Sequence, residues 1–96
     1  MELDDAFENV IDAESFLNFV RKLIADREDE VKKEKDHPSS PYGPGANGWE
    51  NWTIEGFLEA AVSWADDSHF VEKQTDPNAN PWQQFADFLY AGKVYE

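Results

Sequence analysis

Ninety-six residues allow one domain with a small core, since a chain of this length buries only about two thirds of the surface its unfolded form exposes. The formal charge is −13, from 21 acidic and 8 basic residues, which disfavours nucleic acids and anionic membranes, whose phosphates are met by clustered Lys and Arg. The chain has no cysteine, which excludes disulfides, thiolate metal sites and thiol catalysis.

An apolar content of 41% with 15% aromatics argues for a packed fold despite the charge. The opening Met1-Glu2-Leu3-Asp4-Asp5 has neither the basic nor the apolar region of a secretory signal. No apolar run approaches the ~20 residues of a membrane span. The expectation is a soluble, cytoplasmic protein.

Leu3, Phe7, Val10 and Ile11 fall at i, i+4, i+7 and i+8, which predicts a short helix near 3–11. Asp12 is placed to cap a second helix over 13–35, with Phe16, Phe19, Val20, Leu23 and Ile24 as its apolar stripe. Beyond Ile24 the stripe stops. From Asp26 to Asp36 only Val31 is apolar, and this end reads as a charged, solvated extension. Residues 37–48, HPSSPYGPGANG, break regular structure with three Pro, three Gly and two Ser, and the loop is taken to run to 52. Loops of this length inside small domains are uncommon and tend to be functional or flexible.

A third helix is predicted over 53–66, with Asn51 and Thr53 as alternative caps. Ile54, Phe57, Leu58, Ala61, Val62, Trp64 and Ala65 give it a broad apolar face, which predicts a central position. Residues 66–80 are polar apart from a few anchors such as Phe70 and Val71. Asn80-Pro81 is a cap-and-first-turn pair for a last helix over 81–91, with Gly92 as its stop. The fold class is therefore all-α: a compact bundle of three to four helices around the 53–65 segment, with one long Pro/Gly-rich loop.

The stretch Trp49-Glu50-Asn51-Trp52-Thr53-Ile54-Glu55-Gly56-Phe57-Leu58-Glu59-Ala60-Ala61-Val62-Ser63-Trp64 resembles a family of small acidic bacterial proteins of unknown function with the pattern W-E-N-x-T-(I/L)-x-x-F-L-E-A-x-x-x-W. A looser second piece comprises Trp82, Leu89, Ala91, Lys93, Tyr95 and Glu96. Together they cover about half the chain, and loop 37–48 looks longer than the family usually carries. The resemblance implies a stand-alone domain without known catalysis, and an immunity or antitoxin-like role is one guess for such proteins. Read physically, the first motif is a structural device: Trp49 folds back on a helix start, Asn51 and Thr53 cap, and Phe57, Leu58, Ala61 and Trp64 pack.

Constellations for chemistry are weak. Glu55 and Glu59 share a helix face, which is ordinary surface in a chain with this many acids. Asp66, His69 and Glu72 follow at i, i+3 and i+6, one approximate element of a metal site where a dinuclear centre uses several. No phosphate loop or nucleophilic triad stands out. The chain reads as a non-enzyme with no cofactor. What remains is a surplus of aromatics. Tyr42, Trp49, Glu50 and Trp52 form the candidate partner-binding surface, since grouped Trp and Tyr dominate interface energetics. The leading expectation is a protein-binding module for a basic partner. The alternatives are a homodimer that buries the surplus aromatics and a small metal protein using Asp66, His69 and Glu72.

Overall fold

Five helices run through residues 2–95, the part of the chain that the computed structural model describes. They are α1 (Leu3–Glu8), α2 (Ala13–Asp36), α3 (Ile54–Asp67), α4 (Phe70–Lys73) and α5 (Pro81–Val94). No strand occurs among the described residues, so the fold is an all-α bundle. No described helix is long and apolar enough to cross a membrane.

Local signals place the helix starts. The Asp12 carboxylate accepts from the Ser15 N–H, and the Ser15 hydroxyl accepts in turn from the Asp12 N–H, closing a reciprocal capping box. The Ser15 N–H, and then its hydroxyl, which also donates to the carboxylate at 2.7 Å, hold the Asp12 carboxyl below the usual carboxylate range. The Thr53 hydroxyl accepts from the Gly56 N–H. The Asn80 side chain accepts from Trp82 and Gln83, while its amide donates to the Ile11 carbonyl and so ties the start of α5 to the α1–α2 junction.

The middle position belongs to α5. It packs against α3, α2 and α1, whereas α2 and α3 hardly touch each other. The breadth of the apolar face on 53–65 pointed elsewhere. Part of that face is turned outward, with Ile54, Leu58 and Val62 exposed, and Ile11 and Ile24 are exposed as well. The core joins Ala6, Val10, Phe19, Leu23, Trp49 and Ala86, with Phe7, Phe16, Phe57, Trp82 and Tyr90 packed against it. Full burial of Phe19 contributes about 1.5–3 kcal/mol. The Tyr90 phenol donates to Asp4 at 2.7 Å, and burial followed by this bond pushes its pKa up to about 12.

Gly92 does not stop α5. The helix continues to Val94, and Gly92 lies buried inside it. A Cβ at this position would stand 2.8 Å from the Phe57 ring, so the glycine permits the close approach of α5 and α3. Alanine would gain up to about 1 kcal/mol of helix propensity, so a loss of stability isolates the clash. Gly92→Ala is predicted to be destabilised, since overpacking costs about 1–3 kcal/mol. Thermal melting checks this, and a raised midpoint would show that Phe57 yields freely.

Candidate functional site

Two of the acids near the end of α2, Glu30 and Glu34, turn back onto the loop, while Glu28, Asp29 and Asp36 are exposed. Glu30 is 0% exposed, and with Phe19 it is one of the two largest side chains that are wholly buried among the described residues. Asn47 and Trp49 donate their backbone N–H groups to Glu30 Oε1 at 3.0 and 3.2 Å, and Arg27 donates to Oε2 at 3.1 Å. One turn further along, Glu34 accepts the backbone N–H groups of Ser39 and Ala46. The two carboxylates therefore take up four backbone donors of a segment that has no helix or strand to satisfy them.

The tip of the loop is shaped for this. Gly48 donates to the Gly45 carbonyl at 2.9 Å, closing a tight turn, and its φ of 86° lies in the left-handed region that glycine occupies without strain. Gly45 is buried against Glu30, and a Cβ there would stand 2.4 Å from the carboxyl carbon. The Asn47 side chain donates to the Asp26 carbonyl and the Asp29 carboxylate and accepts from Lys33. Hydrogen bonds from Lys33 and then Asn47 hold the Asp29 carboxyl below its usual range. Ser39, with Ala46 adding to it, does the same for Glu34.

The chain then crosses to α5. Trp49 is 4% exposed, its indole N–H donates to Asp26 at 2.8 Å, and its ring stacks on Phe57 at 6.1 Å. Lys93 donates to the same Asp26 oxygen at 2.7 Å and lies 5.6 Å from the Trp49 ring centroid, within cation–π range. Glu50 donates its backbone N–H to the Lys93 carbonyl. The Asn51 amide donates to the carbonyls of Gly92 and Tyr95 and so caps the end of α5, which leaves Thr53 as the cap of α3. The Tyr95 phenol donates to the Asp67 carboxylate.

These anchors divide the four candidate residues. Trp49 lies in the core and supports the surface from beneath. Tyr42 is 97% exposed. Tyr42, Glu50 and Trp52 together border a surface hollow of about 470 Å³. Trp52 is 53% exposed, yet its indole N–H donates to the Trp49 carbonyl at 2.9 Å and its own carbonyl accepts from Arg27. It also borders two further hollows. One is shared with Val31, Pro38 and Pro41, and the other, again about 470 Å³, lies between Ile24 on α2 and Ile54, Phe57 and Leu58 on α3. Sequence reasoning missed the α2–α3 hollow because it assigned Ile24, Ile54 and Leu58 to the core. The surplus of apolar positions over what a small core holds was the available signal.

His69 stands at a left-handed φ of 59° between α3 and α4, and its Nδ1 is 3.9 Å from Glu72, with both side chains exposed. Among the described residues, no three His, Cys, Asp or Glu side chains converge as metal ligands do.

An all-α domain with a loop pinned to its longest helix is the class that this geometry defines. The chain belongs to DUF7660, a family of unknown function, whose model matches residues 12–96. Both pieces that carried the resemblance lie within that span, although Glu96 falls outside the described residues. No curated protein and no solved structure matches the chain.

Glu30→Ala leaves the Asn47 and Trp49 N–H groups and Arg27 without their acceptor. Removing one partner from such a buried set costs about 3–5 kcal/mol, so urea denaturation is predicted to show a loss of that order. A loss below about 1 kcal/mol would contradict the assignment. Because the folded chain holds the Glu34 carboxyl deprotonated to lower pH than an unfolded chain does, its contribution is present at neutral pH and lost on acidification. Acid also relieves the overall negative charge, so the comparison is with Glu34→Gln, which shares that relief. The stability advantage of the wild type is predicted to be full at pH 7, to begin falling as pH drops through the ordinary glutamate value of about 4.3, and to be lost only as pH passes below the depressed folded-state value. An advantage that does not change with pH would contradict it.

Proposed function

We propose that this chain is a protein-binding module whose docking surface centres on Trp52 and receives a partner with a basic face. The observation that carries the reading is the state of Trp52, an aromatic that is more than half exposed yet fixed at both its indole and its carbonyl. Exposed side chains that are already ordered lose little entropy on binding, and Trp is enriched among residues that dominate interface energy. Three hollows meet at this ring, so a partner finds shape around it as well as area. The charge of −13 speeds association with a cationic partner and repels anionic ones. A neutralising role of the immunity or antitoxin kind is one form that such a module takes.

The test is capture from the source cells at low and high salt, with the wild type and Trp52→Ala side by side. The expected result is one stoichiometric basic protein, retained by the wild type at low salt and lost with the variant. Trp52→Ala removes one hydrogen bond and a half-buried ring, so its midpoint is predicted to fall by no more than about 8 °C. Capture that does not depend on Trp52 would overturn the reading. So would a chain with no partner and a solution mass of twice 11.0 kDa, which would place the aromatics in a homodimer.

A further inference from the structure

The hollow between α2 and α3 has apolar helical residues on both sides, Leu23 and Ile24 on α2 and Ile54, Phe57 and Leu58 on α3. On α3, Ile54, Leu58 and Val62 are exposed at i, i+4 and i+8, a straight stripe about 12 Å long. On α2, Leu17, Ile24 and Val31 are exposed at i, i+7 and i+14, again on one face, with Ile24 lining this hollow and Val31 the neighbouring one. Such stripes normally lie against another helix. Here α2 and α3 both pack on α5 and hardly touch each other, so the space between them stands where a four-helix arrangement has its fourth member.

The charges select the occupant. Glu55 and Glu59 each follow a stripe residue by one position, which turns them outward along the solvent edge of α3. Helix α3 carries Glu55, Glu59, Asp66 and Asp67 and no Lys or Arg. On α2, Glu28 and Arg27 both line the hollow, and the Arg27 charge is taken up by its pairing with Glu30. A second copy of this chain would set one acid-edged α3 against another, each on a molecule of charge −13. A helix with an apolar stripe flanked by Lys or Arg meets both features at once.

We infer that the α2–α3 groove receives a cationic amphipathic helix supplied by the partner protein. The helix lies along Ile54 and Leu58, with Trp52 at one end and its basic flank over Glu55 and Glu59. This rests on the protein-binding reading and specifies the form of the bound segment.

The probe is a Leu/Lys peptide of about fourteen residues with its Leu on a single helical stripe, compared with an isomer of the same composition whose Leu are scattered round the helix. The striped peptide is expected to bind at least about tenfold tighter, to become helical, and to shift the amide signals of Ile24, Trp52, Ile54 and Leu58. Leu58→Glu is the decisive variant, because Leu58 is exposed and the substitution adds negative charge. Attraction of charge alone would strengthen binding, whereas occupation of the groove predicts a loss of at least about tenfold. Equal affinity for the two isomers, or binding kept by Leu58→Glu, would overturn the inference. If Trp52-dependent capture of a basic protein holds while the peptides fail, the docking surface stands and the helical occupant falls. If both fail, the protein-binding reading falls with it.

Discussion

The carboxylate of Glu30 is the constraint on which the rest of this structure depends. It lies wholly inside a domain with few other large buried side chains, and it is the acceptor for two backbone N–H groups from residues some 17 to 19 positions away along the chain. Backbone amides turned towards a carboxylate make an anion-binding nest, and here the anion belongs to the chain itself. A Pro/Gly-rich segment that offers no repeating hydrogen bonds of its own gains an ordered path by this means. Burial makes the arrangement stringent, because any donor left without its acceptor away from water is costly.

From Glu30 the order passes to the surface. Trp49 follows the pinned turn directly, and its indole shares the Asp26 oxygen with Lys93. Asn51 closes the end of α5, and Thr53 opens α3. Trp52 lies between these anchors and is therefore ordered without being buried. The two stretches that carried the family resemblance meet here: Glu50 and Asn51 bond to the backbone of 92–95. Much of what the motif specifies is this junction of the loop, α3 and α5, and the proposed docking surface is the outer side of that junction.

Helices α1, α2, α3 and α5, the caps of the last three and the breaking of structure at 37–48 were legible from sequence because they rest on local rules, whereas the single turn of α4 was not predicted. Asp12, Thr53, Asn80 and Pro81 act within a few residues of where they stand. The role of the acids at 26–36 was not legible. A run of charge with one valine is what a solvated helix end looks like, and nothing local distinguishes Glu30 from Glu28. Its role comes from a turn that returns to it from far along the chain. Gly92 failed for a related reason: a glycine near a helix end reads as a stop, but this one answers to a ring on another helix. Of the candidate surface, Tyr42, Glu50 and Trp52 do come together around one hollow. Trp49 lies beneath it, and Ile24, Ile54 and Leu58 of the α2–α3 groove had been counted as core.

Amide hydrogen exchange at Asn47 and Trp49 is the most direct measurement of whether Glu30 holds the loop. These two amides are predicted to exchange only with unfolding of the whole domain, as slowly as the amide of the buried Phe19 in the second turn of α2. Exchange as fast as that of Tyr42 at the exposed part of the same loop would contradict the account. It would mean that the turn opens independently, and that the surface around Trp52 is not held in place by the buried carboxylate.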